Sequence, residues 1–372
     1  MSRVGNPHNS YVFSALGLSP RQKPLPYSKI IRMRLTWLSV LVVAEMAVAQ
    51  SHTIQNSNTA ENLRGVSAVS TKVVWASGTH GTYLRTLDGG ATWTASQVPG
   101  AEALDFRDVE AFSVDEAYLL AAGPGDQSRI YKTANGGKTW DLQFTNHEPK
   151  GFYDCMAFWD LNNGIAVGDP VDGRFELITT DDGAHWKPLS PITIPLAIEG
   201  EGAFAASGSC IAVRDDAYVW FATGGSAARV FRSSDRGKNW AVAATPITHG
   251  TASSGSFSIF FRDGEHGVLA GGDYQKPEQE SANLASTDDG GATWKISTLQ
   301  PQPFLSAVGY LDLSSGVGLL AVGSAHAALS DDAKQTKWRI YLETNLNAIG
   351  FAPPRDAWAV GPKGTIVHWS LE

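Results

Sequence analysis

Cysteine is nearly missing from this chain: its 372 residues hold two, Cys155 and Cys210. A disulfide scaffold is thereby excluded. So is a thiolate metal cluster, because neither cysteine has a second cysteine or a histidine at ligand spacing. Long apolar runs are missing beyond the N-terminal region, which excludes a bundle of membrane-spanning helices. The nine histidines are scattered, with no His-x-x-x-His pair, so no zinc site is expected. No Gly-x-Ser-x-Gly elbow and no phosphate-binding loop occurs, and no cofactor is expected.

Positive charge is the scarcer sign, and much of it sits at the N-terminus. Residues 1–49 read as an N-terminal extension and signal peptide. Arg32 and Arg34 form a basic segment, 35–44 an apolar one, and Ala47-Val48-Ala49 a small-residue cleavage site. Met33 offers an alternative start, and an uncleaved anchor is the competing reading. Export implies a periplasmic or extracellular location. Removing 1–49 takes six basic residues and one acid from totals of 29 and 37, leaving a net charge of about −13. Such a surface is poorly matched to nucleic acid or anionic membranes, so the protein is at most peripheral to a membrane.

Glycine (38) and tryptophan (12) are abundant, as tight turns and short strands require. Their placement is periodic. Thr86-Leu-Asp88-Gly-Gly90-Ala-Thr-Trp93 returns as Thr133-Ala-Asn135-Gly-Gly137-Lys-Thr-Trp140 and as Thr179-Thr-Asp181-Asp-Gly183-Ala-His-Trp186. It returns again as Ser233-Ser-Asp235-Arg-Gly237-Lys-Asn-Trp240 and as Thr287-Asp-Asp289-Gly-Gly291-Ala-Thr-Trp294. A degenerate copy ends at Trp338, and Trp369 closes a unit without the turn. The tryptophans are 47, 46, 54, 54, 44 and 31 residues apart. A period near 45 fits a unit of four strands, so residues 50–372 are expected to form an all-β, seven-bladed β-propeller with four-stranded blades.

The motif is structural. Its Asp (Asn135 in the second copy) accepts hydrogen bonds from the amides of its own turn, and the Trp packs between units. In each blade, strands A, B and C precede the turn and D follows it. The seventh unit lacks D, and residues 52–57 are expected to supply it, removing two free sheet edges. On strand A two positions read Val66/Ala68, Val109/Ala111, Cys155/Ala157, Cys210/Ala212, Ser258/Phe260, Ala307/Gly309 and Ala348/Gly350. Small side chains suit inner strands crowded around an axis. Packing is the favoured role of both cysteines, with a cross-blade disulfide as the alternative an oxidising compartment allows.

The repeat Gly-x-x-x-Arg/Lys-Thr/Ser-x-Asp-Gly-Gly-x-Thr-Trp resembles that of the photosystem II stability/assembly factor family and related BNR (Asp-box) proteins, over roughly residues 60–370. The resemblance implies a propeller without cofactor that binds other proteins during assembly of a membrane complex. Sialidases share the box, but their Arg-Ile-Pro motif does not occur here.

Strand-A starts and B–C loops share the end of the propeller opposite the boxes, where a rigid scaffold presents ligand-binding loops. The expected ligand set is Arg107, Tyr153, Asp154, Asp169, Arg174, Glu201, Arg229, Asp273, Tyr274 and Lys276. Arginines suit carboxylates and tyrosines suit stacking, which points to a protein or peptide partner, with a glycan as the second class. The alternative is a glycoside hydrolase drawing its paired carboxylates from Asp169, Glu201 and Asp273. Asp169 and Asp172 fall short of the roughly six to eight oxygens of a calcium site.

Overall fold

A computed structural model describes residues 51–190, 193–279, 281–297, 303–314, 316–332, 338–352 and 355–370. The leader expected over 1–49 lies outside the described residues. Seven antiparallel sheets follow one another along the chain. Blade 1 shows the plan: A is Leu63–Ala68, B is Val74–Gly78, C is Thr82–Thr86 and D is Thr94–Gln97. Blades 2 to 6 repeat the order. Blade 7 takes Ala348–Ala352, Asp356–Val360 and Thr365–Ser370, and its fourth strand is Ser51–Asn56, paired antiparallel to Thr365–Ser370. Closure by the N-terminal strand is as expected. Trp93 of blade 1 fastens it by donating its indole N–H to Gln55 at 2.9 Å.

The B strands explain the apolar runs seen in the sequence. Ala117–Ala121 and Val74–Gly78 are buried throughout, because neighbouring blades cover both faces. Trp75, Trp220 and Trp358 sit at corresponding B positions and are almost wholly enclosed; burying a large apolar side chain contributes on the order of 2–3 kcal/mol. The D strands, at the outer edge, are short and largely exposed.

The repeated turn does what its chemistry requires. In blade 1 the Thr86 hydroxyl accepts the Gly90 amide at 2.8 Å, and Asp88 accepts both the amide and the hydroxyl of Thr92 at 2.8 and 2.6 Å. Gly90 stands at φ +86°, a conformation that favours glycine. Asn135, Asp235 and Asp289 accept the corresponding amide, from Thr139, Asn239 and Thr293, at 2.9 Å each. Blade 3 departs from expectation: the box acid is Asp182, not Asp181. Asp182 accepts the amides of Ala184 and His185, each at 2.8 Å, while Asp181 pairs with Lys187 in solvent. This turn is one residue shorter between its acid and Trp186, so alignment on the tryptophan selects the wrong carboxylate.

Two further expectations are corrected. In blades 1 and 2 the strand-A positions equivalent to Cys155/Ala157 are Gly65/Ser67 and Asp108/Glu110, one residue earlier than the sequence alignment placed them. Pairing decides this: Gly65, Asp108 and Cys155 are each the first paired residue after a register slip in strand A, opposite Ser77, Leu120 and Val167. Two acids therefore stand among the small residues near the axis. The cysteines are also joined, as a Cys155–Cys210 disulfide with Cα atoms 6.0 Å apart. They occupy one position on adjacent inner strands, whose crowding brings them within bonding range.

Candidate functional site

A cavity of about 980 Å³ opens at the end of the channel, in the size range of ligand pockets. Its wall comes from strand-A starts, B–C loops and the connection from blade 3 to blade 4. A local device repeats around it. In five of the seven A strands the register slips by one residue at the first turn, between Leu63 and Gly65, Phe106 and Asp108, Tyr153 and Cys155, Ser256 and Ser258, and Leu305 and Ala307. The residues left out of register are Arg64, Arg107, Asp154, Phe257 and Ser306, and all five line the cavity. A bulge turns the extra side chain away from the ladder, here into the channel mouth.

The charges so gathered are incompletely satisfied. Arg64 and Arg107 both donate to the Ala205 carbonyl, at 3.4 and 3.0 Å. Among the described residues the Nε of each is buried without a partner, as is Oδ2 of Asp154. Burial, reinforced by the neighbouring Arg107, lowers the Arg64 pKa to about 10. Burial pushes the Asp154 carboxyl well up and the charge of Asp169 adds to this, with Arg107 opposing. Asp169 is raised by burial too, against a hydrogen bond from the Ala203 amide at 2.9 Å. Beside the charges lies an aromatic box: Phe204 stacks on Phe257 at 4.0 Å, and Tyr274 and Phe304 meet Phe257 edge-on.

Of the ten expected ligand residues, Arg107, Asp154, Asp169, Glu201 and Tyr274 line this cavity. Glu201 is already engaged. Its carboxylate receives the Arg229 guanidinium (Nε at 2.9 Å), the Thr223 hydroxyl at 2.6 Å and the Ile198 amide at 2.8 Å. Arg229 is its partner and is not part of the wall. Tyr153 is buried against Phe144, in the interior between blades. Arg174 is exposed at the start of its strand. Asp273 accepts the Gln275 amide at 3.0 Å and its carbonyl accepts that of Lys276, so both belong to the turn that carries Tyr274 and are not themselves in the wall.

Arg64, Phe204 and Phe257 were missed. Arg64 was legible, since it precedes Gly65-Val66 as Arg107 precedes Asp108-Val109. Phe257 had no repeat signal, because the matching bulge positions hold Arg64, Arg107, Asp154 and Ser306, and Phe204 lies on a connection outside the repeat. Among the described residues no group of three or more His, Cys, Asp or Glu could hold a metal, and no helix is long and apolar enough to cross a membrane.

Fold and site thus define a seven-bladed Asp-box propeller with a charged and aromatic channel mouth. The chain is similar to the photosystem II assembly lipoprotein Ycf48 of Synechococcus sp. (strain CC9902), at 23% identity over 240 residues. The match spans 62% of this chain and 61% of that relative. Among solved structures, YCF48 from Cyanidioschyzon merolae superposes with a TM-score of 0.61 at 18% identity, covering 86% of this chain and 98% of that one. A structure described as YCF48 bound to D1 peptide gives 0.58 at 15% identity, covering 87% and 97%. At these identities the structures establish the fold. No family model matches the chain. The resemblance to photosystem II assembly factors drawn from the repeats therefore holds in sequence and in fold.

Proposed function

We propose that this is an exported, non-catalytic binding protein of the assembly-factor type, which holds a segment of another protein at the channel mouth. The observation that carries the reading is the pair Arg64–Arg107. Two half-buried guanidiniums, each with an unpartnered Nε, beside an aromatic box, suit a peptide that brings a carboxylate and a ring. The YCF48 structure whose description names a D1 peptide lends support, as does the word lipoprotein in the Synechococcus relative's name to a location outside the cytoplasm. Residues 1–49, read as a leader, agree with that location. The test is calorimetric titration of the mature protein with peptides bearing free or amidated C-termini. Removing one charge-assisted hydrogen bond costs about 1.5–3 kcal/mol, so Arg107→Ala should weaken binding of the free acid by roughly 10- to 100-fold. Equal affinity of both variants for the acid and the amide would sink the reading.

One observation favours hydrolysis instead: Asp154 and Asp169 share the cavity and both are raised, as a catalytic acid must be. Glu201 is less available for that role, being held by Arg229. Turnover of a chromogenic glycoside, abolished by Asp154→Asn or Asp169→Asn, would establish this reading in place of the first.

A further inference from the structure

The channel mouth already holds a peptide, and it is the protein's own. Residues 202–206, Gly-Ala-Phe-Ala-Ala, run into the cavity on the connection from blade 3 to blade 4 and form part of its lining. They engage every group that the peptide-binding reading assigns to a ligand. The Ala205 carbonyl accepts from both Arg64 and Arg107. The Ala203 amide donates to Asp169, and the Ala205 amide lies against Asp154. The Phe204 ring fills the fourth side of the aromatic box, 4.0 Å from Phe257 and inclined by 12°.

The fit is imperfect in an informative way. One carbonyl oxygen serves two guanidiniums, and the Nε of each is left without an acceptor. A carboxylate in the same place brings a second oxygen and a full negative charge. The segment is bracketed by left-handed glycines, Gly200 at φ +78° and Gly208 at φ +72°. Just after it in the chain, Cys210 is joined to Cys155, beside the inner strand Ile211–Arg214.

We propose that residues 202–206 are a resident ligand, which the partner displaces. The partner segment would end in an aromatic residue followed by a small residue with a free carboxylate, the carboxylate replacing the Ala205 carbonyl and the ring replacing Phe204. This rests on the peptide-binding reading above. A site occupied by its own strap for all but a fraction of the time binds a competitor more weakly by that fraction.

The probe is the synthetic tetrapeptide Gly-Ala-Phe-Ala with a free C-terminus, a copy of residues 202–205, titrated into the full-length exported protein and two variants. Phe204→Ala empties the aromatic box. Ala203→Pro removes the amide that holds the strap to Asp169 and serves independently should the first variant fail to fold. Both variants are expected to bind the tetrapeptide about tenfold more tightly than the wild type. Saturating peptide should also speed hydrogen exchange at the Ala203 and Ala205 amides of the wild type. Binding that is unchanged or weaker in both variants overturns the strap and leaves the peptide-binding reading intact. If the tetrapeptide binds none of the three proteins, and neither do the other free-acid peptides, both fall together.

Discussion

The acids of the repeated turns and the buried acids of the axis and mouth are held in opposite states. In the turns, the hydroxyl and amide of Thr92 pull Asp88 down to about 2. The ring and amide of His185 lower Asp182 as well. On the inner strands around the axis, burial pushes Glu110 up to about 7, against the attraction of Arg214 from blade 4. Asp108, on the same strand, and Asp154 are raised by burial too. The first setting repeats a self-contained turn whose charge is met within seven or eight residues. The second assembles different side chains from different blades and leaves several unmet. Self-sufficiency marks the scaffold here, and unmet hydrogen-bonding capacity marks the site.

That contrast can be broken in graded ways. The largest effect should come from Glu201→Ala, which strands Arg229 beside an enclosed carboxylate position; a loss of about 3–5 kcal/mol is expected in chemical denaturation. Replacing both cysteines by serine opens a 55-residue separation and should cost about 2–4 kcal/mol, read as a lower thermal midpoint that reductant also produces in the wild type.

The pH response should sharpen the comparison further. Glu110 is raised above its unfolded value, so its contribution is present below about pH 4.5 and is lost as pH rises through about 7. Asp88 is depressed, so its contribution is present above its ordinary range and is lost as pH falls through about 2. Stability should therefore decline between about pH 5 and 8, and Glu110→Gln should flatten that slope without touching the acid limb. An unchanged slope would mean that Glu110 does not titrate in this window. The smallest effect belongs to Lys187→Ala. Its partner Asp181 is a solvent-exposed bystander to the box, so the midpoint should move within error, whereas Asp182→Ala should lower it measurably.

Much of the architecture was legible because a blade is a local object. Its turn, its glycine and its tryptophan lie within eight residues, and five copies reinforce one another. The blade-3 box misled because one deleted residue put Asp181 where Asp182 acts. The inner strands of blades 1 and 2 misled for a similar reason. Val66/Ala68 and Val109/Ala111 continue the small-residue pattern, and only strand pairing reveals Gly65/Ser67 and Asp108/Glu110 in their place. Part of the candidate site was legible as well. Arg107, Asp154, Asp169, Glu201 and Tyr274, five of the ten expected residues, were placed at this cavity from loop position and chemistry. Tyr153 was not separable from its neighbour Asp154, because a bulge sends adjacent residues to opposite fates: the ring into the core and the carboxylate into the cavity.

The sequence alone therefore determined the repeat, the strand order within each blade and the closure of the ring, since these depend on turn chemistry and apolar patterning along short stretches. Tertiary structure alone decided what meets at the mouth. Arg64 and Ala205 are 141 residues apart, and Arg107 and Ala205 are 98 apart. Their meeting depends on the curvature of seven packed sheets and on five small slips of register, which no local pattern encodes.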